Sequence, residues 1–102
     1  MKIEVTEKDI KKGKKVDSVE CPVSRAIRRR LGYAYEVGTY AFDHKQFRVC
    51  LKRKGKSRVD LCSLPPKVSH FISSYDKGQE VSPIYFYVPW EETSLESPTI
   101  HE

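Results

Sequence analysis

The apolar residues of this chain change their spacing twice, and that change limits the fold more than any other feature. Between Tyr33 and Ser63 they recur at every second position: Tyr33, Tyr35 and Val37, then Phe47, Val49 and Leu51, then Val59 and Leu61. Alternation of this kind belongs to strands that bury one face. On either side the spacing becomes helical. In CPVSRAIRRRLG (21–32), Val23, Ala26, Ile27 and Leu31 gather on one arc, and Pro22 and Gly32 suit the first helical position and the position past the end. In SLPPKVSHFISSYDKG (63–78), Leu64, Val68, Phe71, Ile72 and Tyr75 share a face, with Pro65 and Pro66 at the start and Gly78 at the end.

The ends add shorter elements. Ile3 and Val5 alternate in an opening strand, and Thr6 can cap the helical turn of TEKDIKKG (6–13), which Gly13 ends. VSPIYFYVPW (81–90) alternates Ile84, Phe86 and Val88 with Tyr85 and Tyr87 between two prolines, a strand pattern that could pair with the first. The order strand, short helix, helix, three strands, helix, strand predicts an α+β fold. The expected architecture is an antiparallel β-sheet of about four to five strands with two main helices packed on one face. Residues 1–90 are expected to form a single compact domain, followed by an acidic, flexible tail over 91–102.

Turns are expected at Gly38–Thr39, Asp43–Lys45 and Lys54–Lys56. In the last hairpin, matching apolar faces puts Leu51 opposite Val59 and Val49 opposite Leu61. Lys52 then faces Arg58, Arg48 faces Cys62, and Cys50 faces Asp60. Like charges directly opposite cost stability, so Lys52 and Arg58 either splay into water or meet an anion.

Charge is unevenly spread. All 19 Lys and Arg fall within residues 1–90 against 10 of the 14 acids, a net +9, whereas the last twelve residues carry four Glu and a net −4. A basic body attracts polyanions. No stretch approaches the roughly 20 apolar residues of a membrane span, and MKIEVTEKDI alternates where a signal peptide would be continuously apolar. The expectation is a cytoplasmic protein without a membrane partner, in the host cell cytoplasm if phage-encoded.

Chemistry is sparsely signalled. His44, His70 and His101 fall in a turn, on a helix flank and in the tail, and none shares a local signature with a cysteine. Cys21, Cys50 and Cys62 fit neither a disulfide framework nor a paired CxxC zinc site. Cys21 sits just before a helix, so it is either a thiol favoured as thiolate by the helix dipole or a small residue closing the helix start. Phosphate-binding glycine motifs are absent. The reading is no enzyme, no metal and no cofactor. The candidate binding residues are Arg25, Arg28 and Arg29 on the polar face of the first main helix, with Lys52, Arg53, Lys54, Lys56 and Arg58 around the hairpin; exposed tyrosines such as Tyr85 or Tyr87 could stack on bases.

Three stretches, IEVTEKDIKKG (3–13), CPVSRAI (21–27) and LPPKVSHFISSYDKGQEVSPIYFYV (64–88), carry a further likeness. They resemble a group of small phage and bacterial proteins that share an I-x-V-T opening, a CPV-x-x-A-[IL] helix start and a closing LP…FI-x-x-[FY]-D-x-G-x-x-V-x-P run. The resemblance covers about half of the chain and brings no activity with it. It implies a small accessory protein that binds and inhibits a host macromolecular machine, a candidate anti-defence or anti-CRISPR-like inhibitor. Its partner would be a host protein or ribonucleoprotein complex. The alternative is a direct DNA- or RNA-binding module using the same basic residues, and the Tyr-rich last strand could also pair with its twin in a homodimer.

Overall fold

The computed structural model of the chain describes residues 1–32, 35–43, 46–53, 55 and 58–89. Its elements run β1 (Lys2–Val5), α1 (Glu7–Lys12), α2 (Pro22–Leu31), β2 (Tyr35–Asp43), β3 (Gln46–Arg53), β4 (Arg58–Ser63), α3 (Pro66–Asp76) and β5 (Ile84–Tyr87). The fold is α+β, but the single sheet expected from the alternation is two. β1 and β5 form an antiparallel ribbon, and β2, β3 and β4 form a three-stranded antiparallel sheet. The helices do not share one face of a common sheet: α2 packs against both β1 and β2, while α3 packs against β3 and α2. One amphipathic helix thus covers two sheets.

That arrangement follows from the arc on α2. Val23, Ala26 and Ile27 are buried and join Ile3, Val5 and Phe86 from the ribbon, Val37, Val49 and Leu51 from the sheet, and Leu64, Val68, Phe71 and Ile72 from the α3 region in one continuous core. In the ribbon, Ile3 pairs with Phe86 and Val5 with Ile84, leaving Lys2 opposite Tyr87 and Glu4 opposite Tyr85 on the outer side. Met1 and Val88 extend the ladder, with Val88 N donating to Met1 O and the Met1 ammonium to Val88 O, both at 2.9 Å.

Two expectations about the three-stranded sheet are corrected. The Gly38–Thr39 pair does not break a strand: β2 runs through it, with Gly38 opposite Cys50. Thr39 turns inward, 3% exposed, and its amide donates to Ser18 O at 2.8 Å. In the β3–β4 hairpin, Leu51 opposite Val59, Lys52 opposite Arg58 and Cys50 opposite Asp60 are as expected, but the register then shifts, so Val49 faces Cys62 and Arg48 faces Ser63. A bulge adds one residue to the β4 side and bends the strand, which displaces the expected Val49–Leu61 and Arg48–Cys62 pairs. Just beyond it the Leu64 amide reaches Phe47 O at 2.8 Å and the chain turns into α3.

Helix α3 is fastened by polar contacts as well as by its apolar face. Buried Ser69 Oγ accepts from Phe47 N at 3.0 Å, and Tyr75 Oη donates to Ile10 O at 2.9 Å. At its end Asp76 Oδ1 accepts from Val16 N at 2.8 Å, which fixes the lysine-rich connector. No described helix is long and apolar enough to cross a membrane. The expected tail, 91–102, lies outside the described residues, as do Tyr33 and Trp90.

Gly13 shows how tightly α1 and α2 meet. Its backbone is ordinary, yet a Cβ there would stand 2.8 Å from Asp9 O and 2.8 Å from Pro22 Cδ. Neither atom is the end of a flexible side chain. Gly13→Ala is therefore expected to lower unfolding stability by about 1–3 kcal/mol, read from urea titrations, whereas an unchanged midpoint would show that the two helices have room to part.

Candidate functional site

Helix α2 begins at Cys21, whose Sγ accepts from Ser24 N at 3.4 Å and lies 3.1 Å from Thr39 Oγ1. Ser24 Oγ donates to Ser18 O at 2.6 Å, so the thiol closes the helix start inside a buried polar cluster. Of the two readings of Cys21, this geometry is that of the capping residue. The helix ends at Gly32, whose φ of 95° suits glycine and whose amide reaches Arg28 O at 2.8 Å. Arg28, Arg29 and Arg30 fall in its last turn, where cations meet the negative end of the helix dipole.

The arginine face expected to bind a partner is engaged within the fold. Asp9 of α1 is 1% exposed, and Arg29 holds its carboxylate with both terminal guanidinium nitrogens, Nη2–Oδ2 being 2.9 Å and Nη1 bonding Oδ1. The same Nη2 donates to Glu4 O at 2.9 Å, tying α2 to β1. Thr6 N donates to Asp9 Oδ2 at 2.9 Å while Asp9 N donates to Thr6 Oγ1 at 3.3 Å, a reciprocal capping box. Arg25 places Nε 4.0 Å from Asp9 Oδ1 and Nη1 3.5 Å from Glu20 Oε1, and Arg28 sets Nη2 3.4 Å from Glu20 Oε2 and Nη1 3.0 Å from Val19 O. The sequence reading did not single out Asp9, whose partner Arg29 lies twenty residues further along the chain. The signal that could have found it is the Thr6-x-x-Asp9 spacing together with an arginine-rich neighbour.

The hairpin half of the expected surface is placed differently. Lys52 is exposed on the outer sheet face, between Glu36 of β2 and Arg58 of β4, so the like-charge pair stands with an acid on its other flank. Arg53 follows it, half-buried, opposite Tyr35. Lys54 and Lys56 lie outside the described residues. The described candidates therefore form no single array: Arg25, Arg28 and Arg29 are engaged with Asp9 and Glu20, while Lys52, Arg53 and Arg58 lie on β3 and β4.

A third surface was only half foreseen. Tyr85 and Tyr87 project from the ribbon, 52% and 63% exposed, with ring centroids 6.1 Å apart and planes at 89°. Lys2 Nζ lies 4.7 Å and Lys67 Nζ 4.8 Å from the Tyr85 centroid. Local sequence could not show this interleaving, because Lys2, Lys67 and the tyrosines come from three elements. His70 is exposed on α3, His44 and His101 lie outside the described residues, and Cys50 is a buried thiol. Among the described residues no group of three or more His, Cys, Asp or Glu could hold a metal ion.

Burial alone would raise the Asp9 pKa. The hydrogen bond from Arg29, the Thr6 amide, the Arg29 charge and the Thr6 hydroxyl outweigh it and hold the carboxyl below its ordinary 3.8. A depressed folded-state pKa contributes stability that is complete above the unfolded-state value and is lost as pH falls through the folded one. Asp9→Asn is expected to be less stable at pH 7 by about 2 kcal/mol or more. The difference should shrink as pH falls below about 4, measured by denaturant titration across pH. Parallel profiles for the two proteins would remove Asp9 from this role.

Compared with protein-family models, with curated proteins and with solved structures, the chain matches none.

Proposed function

We propose that this chain is a non-enzymatic accessory protein that binds a host macromolecular machine and blocks it through a basic surface at the end of the β3–β4 hairpin. The observation that carries the reading is the register that sets Lys52 directly across from Arg58. Cross-strand cations oppose folding, and an anionic partner would turn that cost into affinity. Lys54 and Lys56 belong to the connection between the two strands and add to its charge.

The motif likeness to small phage and bacterial proteins supports an inhibitory role, in the manner of an anti-defence or anti-CRISPR-like protein acting in the host cytoplasm. Arg25, Arg28 and Arg29 are assigned to the scaffold in this reading, because acids of the same chain already meet them. A specific observation also favours a second reading, direct binding of DNA or RNA: the exposed Tyr85 ring approached by two lysines. Phosphate-dominated binding weakens steeply with salt, whereas a shape-driven protein interface responds less.

The test is a tagged pull-down from bacterial lysate after nuclease treatment, comparing the natural chain with Lys52→Glu combined with Arg53→Glu. Retention of a defined complex by the natural chain and roughly tenfold less by the variant is the expected result, since rim and core charges at such interfaces are worth on the order of 1 kcal/mol or more. Equal retention by both, or loss of everything with the nucleic acid, would contradict it.

A further inference from the structure

The outer side of the β1–β5 ribbon has an unusual composition for a surface that only meets water. Burial of Ile3, Val5 and Phe86 on the inner side leaves Lys2, Glu4, Tyr85 and Tyr87 outside, and Lys67 reaches the same place from the first turn of α3. Two large rings are more than half exposed. Their planes stand at 89°, so they meet edge to face and are not stacked on one another. Both ammonium groups approach Tyr85 closely enough for cation–π attraction.

Beside this face, between β1 and α2, lies a cleft of about 390 Å³ lined by Lys2, Glu4, Ala26, Arg29 and Arg30. Lys2 belongs to both. Glu4, the acid of this lining, is met by Lys2 Nζ at 3.4 Å, so the face as a whole carries positive charge. Aromatic surface and positive charge are the two things a single strand of nucleic acid requires: bases stack on rings, and ammonium groups meet phosphates. The perpendicular planes add a further distinction. Bases laid on Tyr85 and Tyr87 must splay from one another, which a single strand allows and the continuous stack of a duplex does not.

We infer that the outer face of the β1–β5 ribbon is a stacking platform for single-stranded nucleic acid. Tyr85 and Tyr87 take one base each, Lys2 and Lys67 meet the flanking phosphates, and the cleft toward Arg30 receives the continuing backbone. This site rests on the second reading above, direct binding of nucleic acid; it uses none of the hairpin residues and stands independently of the inhibitory reading.

Fluorescence anisotropy with a labelled single-stranded oligothymidine of about 15 nucleotides, titrated at several salt concentrations, tests it. The natural chain should bind the single strand more tightly than a duplex of equal length. Tyr85→Ala and Tyr87→Ala should each weaken binding by roughly 5- to 150-fold, the effect of losing one stacked base, without altering the salt slope. Lys2→Gln with Lys67→Gln should instead flatten that slope by about 1.4, two phosphates at about 0.7 each. Tyr85→Phe keeps the ring and should bind within about twofold of the natural chain, as should Lys52→Glu. Circular dichroism establishes that each variant is folded. No binding by the natural chain at about 50 mM salt, equal affinity for duplex, full affinity after loss of both rings, or loss of binding in Lys52→Glu would each overturn the proposal, the last by moving the contact to the hairpin.

Discussion

A buried carboxylate organises the amino-terminal half of this protein. Asp9 lies in a six-residue helix that would be marginal on its own, yet its side chain caps that helix and receives both arms of Arg29, and Arg25 stands close by. Through Arg29 the contact continues to the backbone of β1 at Glu4. Three elements are thereby set in one geometry. Desolvating a carboxylate is costly, and a pair of this kind is not by itself a source of net stability. Its effect is positional: with Asp9 inside, α1 and α2 can meet only where the guanidinium reaches it, and the absence of a side chain at Gly13 lets them close to that distance.

This arrangement decides what remains available for a partner. Seven arginines suggest a strongly cationic surface, but Arg25, Arg28 and Arg29 of α2 are drawn toward Asp9, Glu20 and the backbone carbonyls of Glu4 and Val19. Besides the exposed lysines of α1 and the connector after it, two places bring cations together. One is the hairpin end, where Lys52 and Arg58 face each other across strands. The other is the β1–β5 ribbon, where lysines from separate elements converge on an exposed tyrosine. Both are carried on paired strands over a single core, which fixes the backbone beneath them.

Local chemistry made much of this fold legible. Pro22 and Gly32 bounded α2, the alternation of Ile84, Phe86 and Val88 marked β5, and matching the faces of Leu51 and Val59 placed Lys52 against Arg58. What failed was information held between elements. Alternation tells which face of a strand is buried, not which strands share a sheet, so the split into a ribbon and a three-stranded sheet was unreadable. The bulge at the β4 side of Val49 depends on how the chain must turn into α3, and the pattern of Val59 and Leu61 carries no trace of it. Neither the burial of Asp9 nor the approach of Lys67 to Tyr85 can be read locally, because burial and cation–π contact each need a partner remote in sequence.

The central claim is that Arg25, Arg28 and Arg29 of α2 hold the fold and are not a free binding array, and a double-mutant cycle tests it most directly. Unfolding free energies would be measured by denaturant titration for the natural chain, Asp9→Leu, Arg29→Met and the two combined. Each single change should strand a charge, and the combined variant should recover part of the loss, giving a coupling of about 2–3 kcal/mol. Additive effects within about 0.5 kcal/mol would contradict the account, because they would show that Arg29 contributes nothing through Asp9 and stands ready for an external partner.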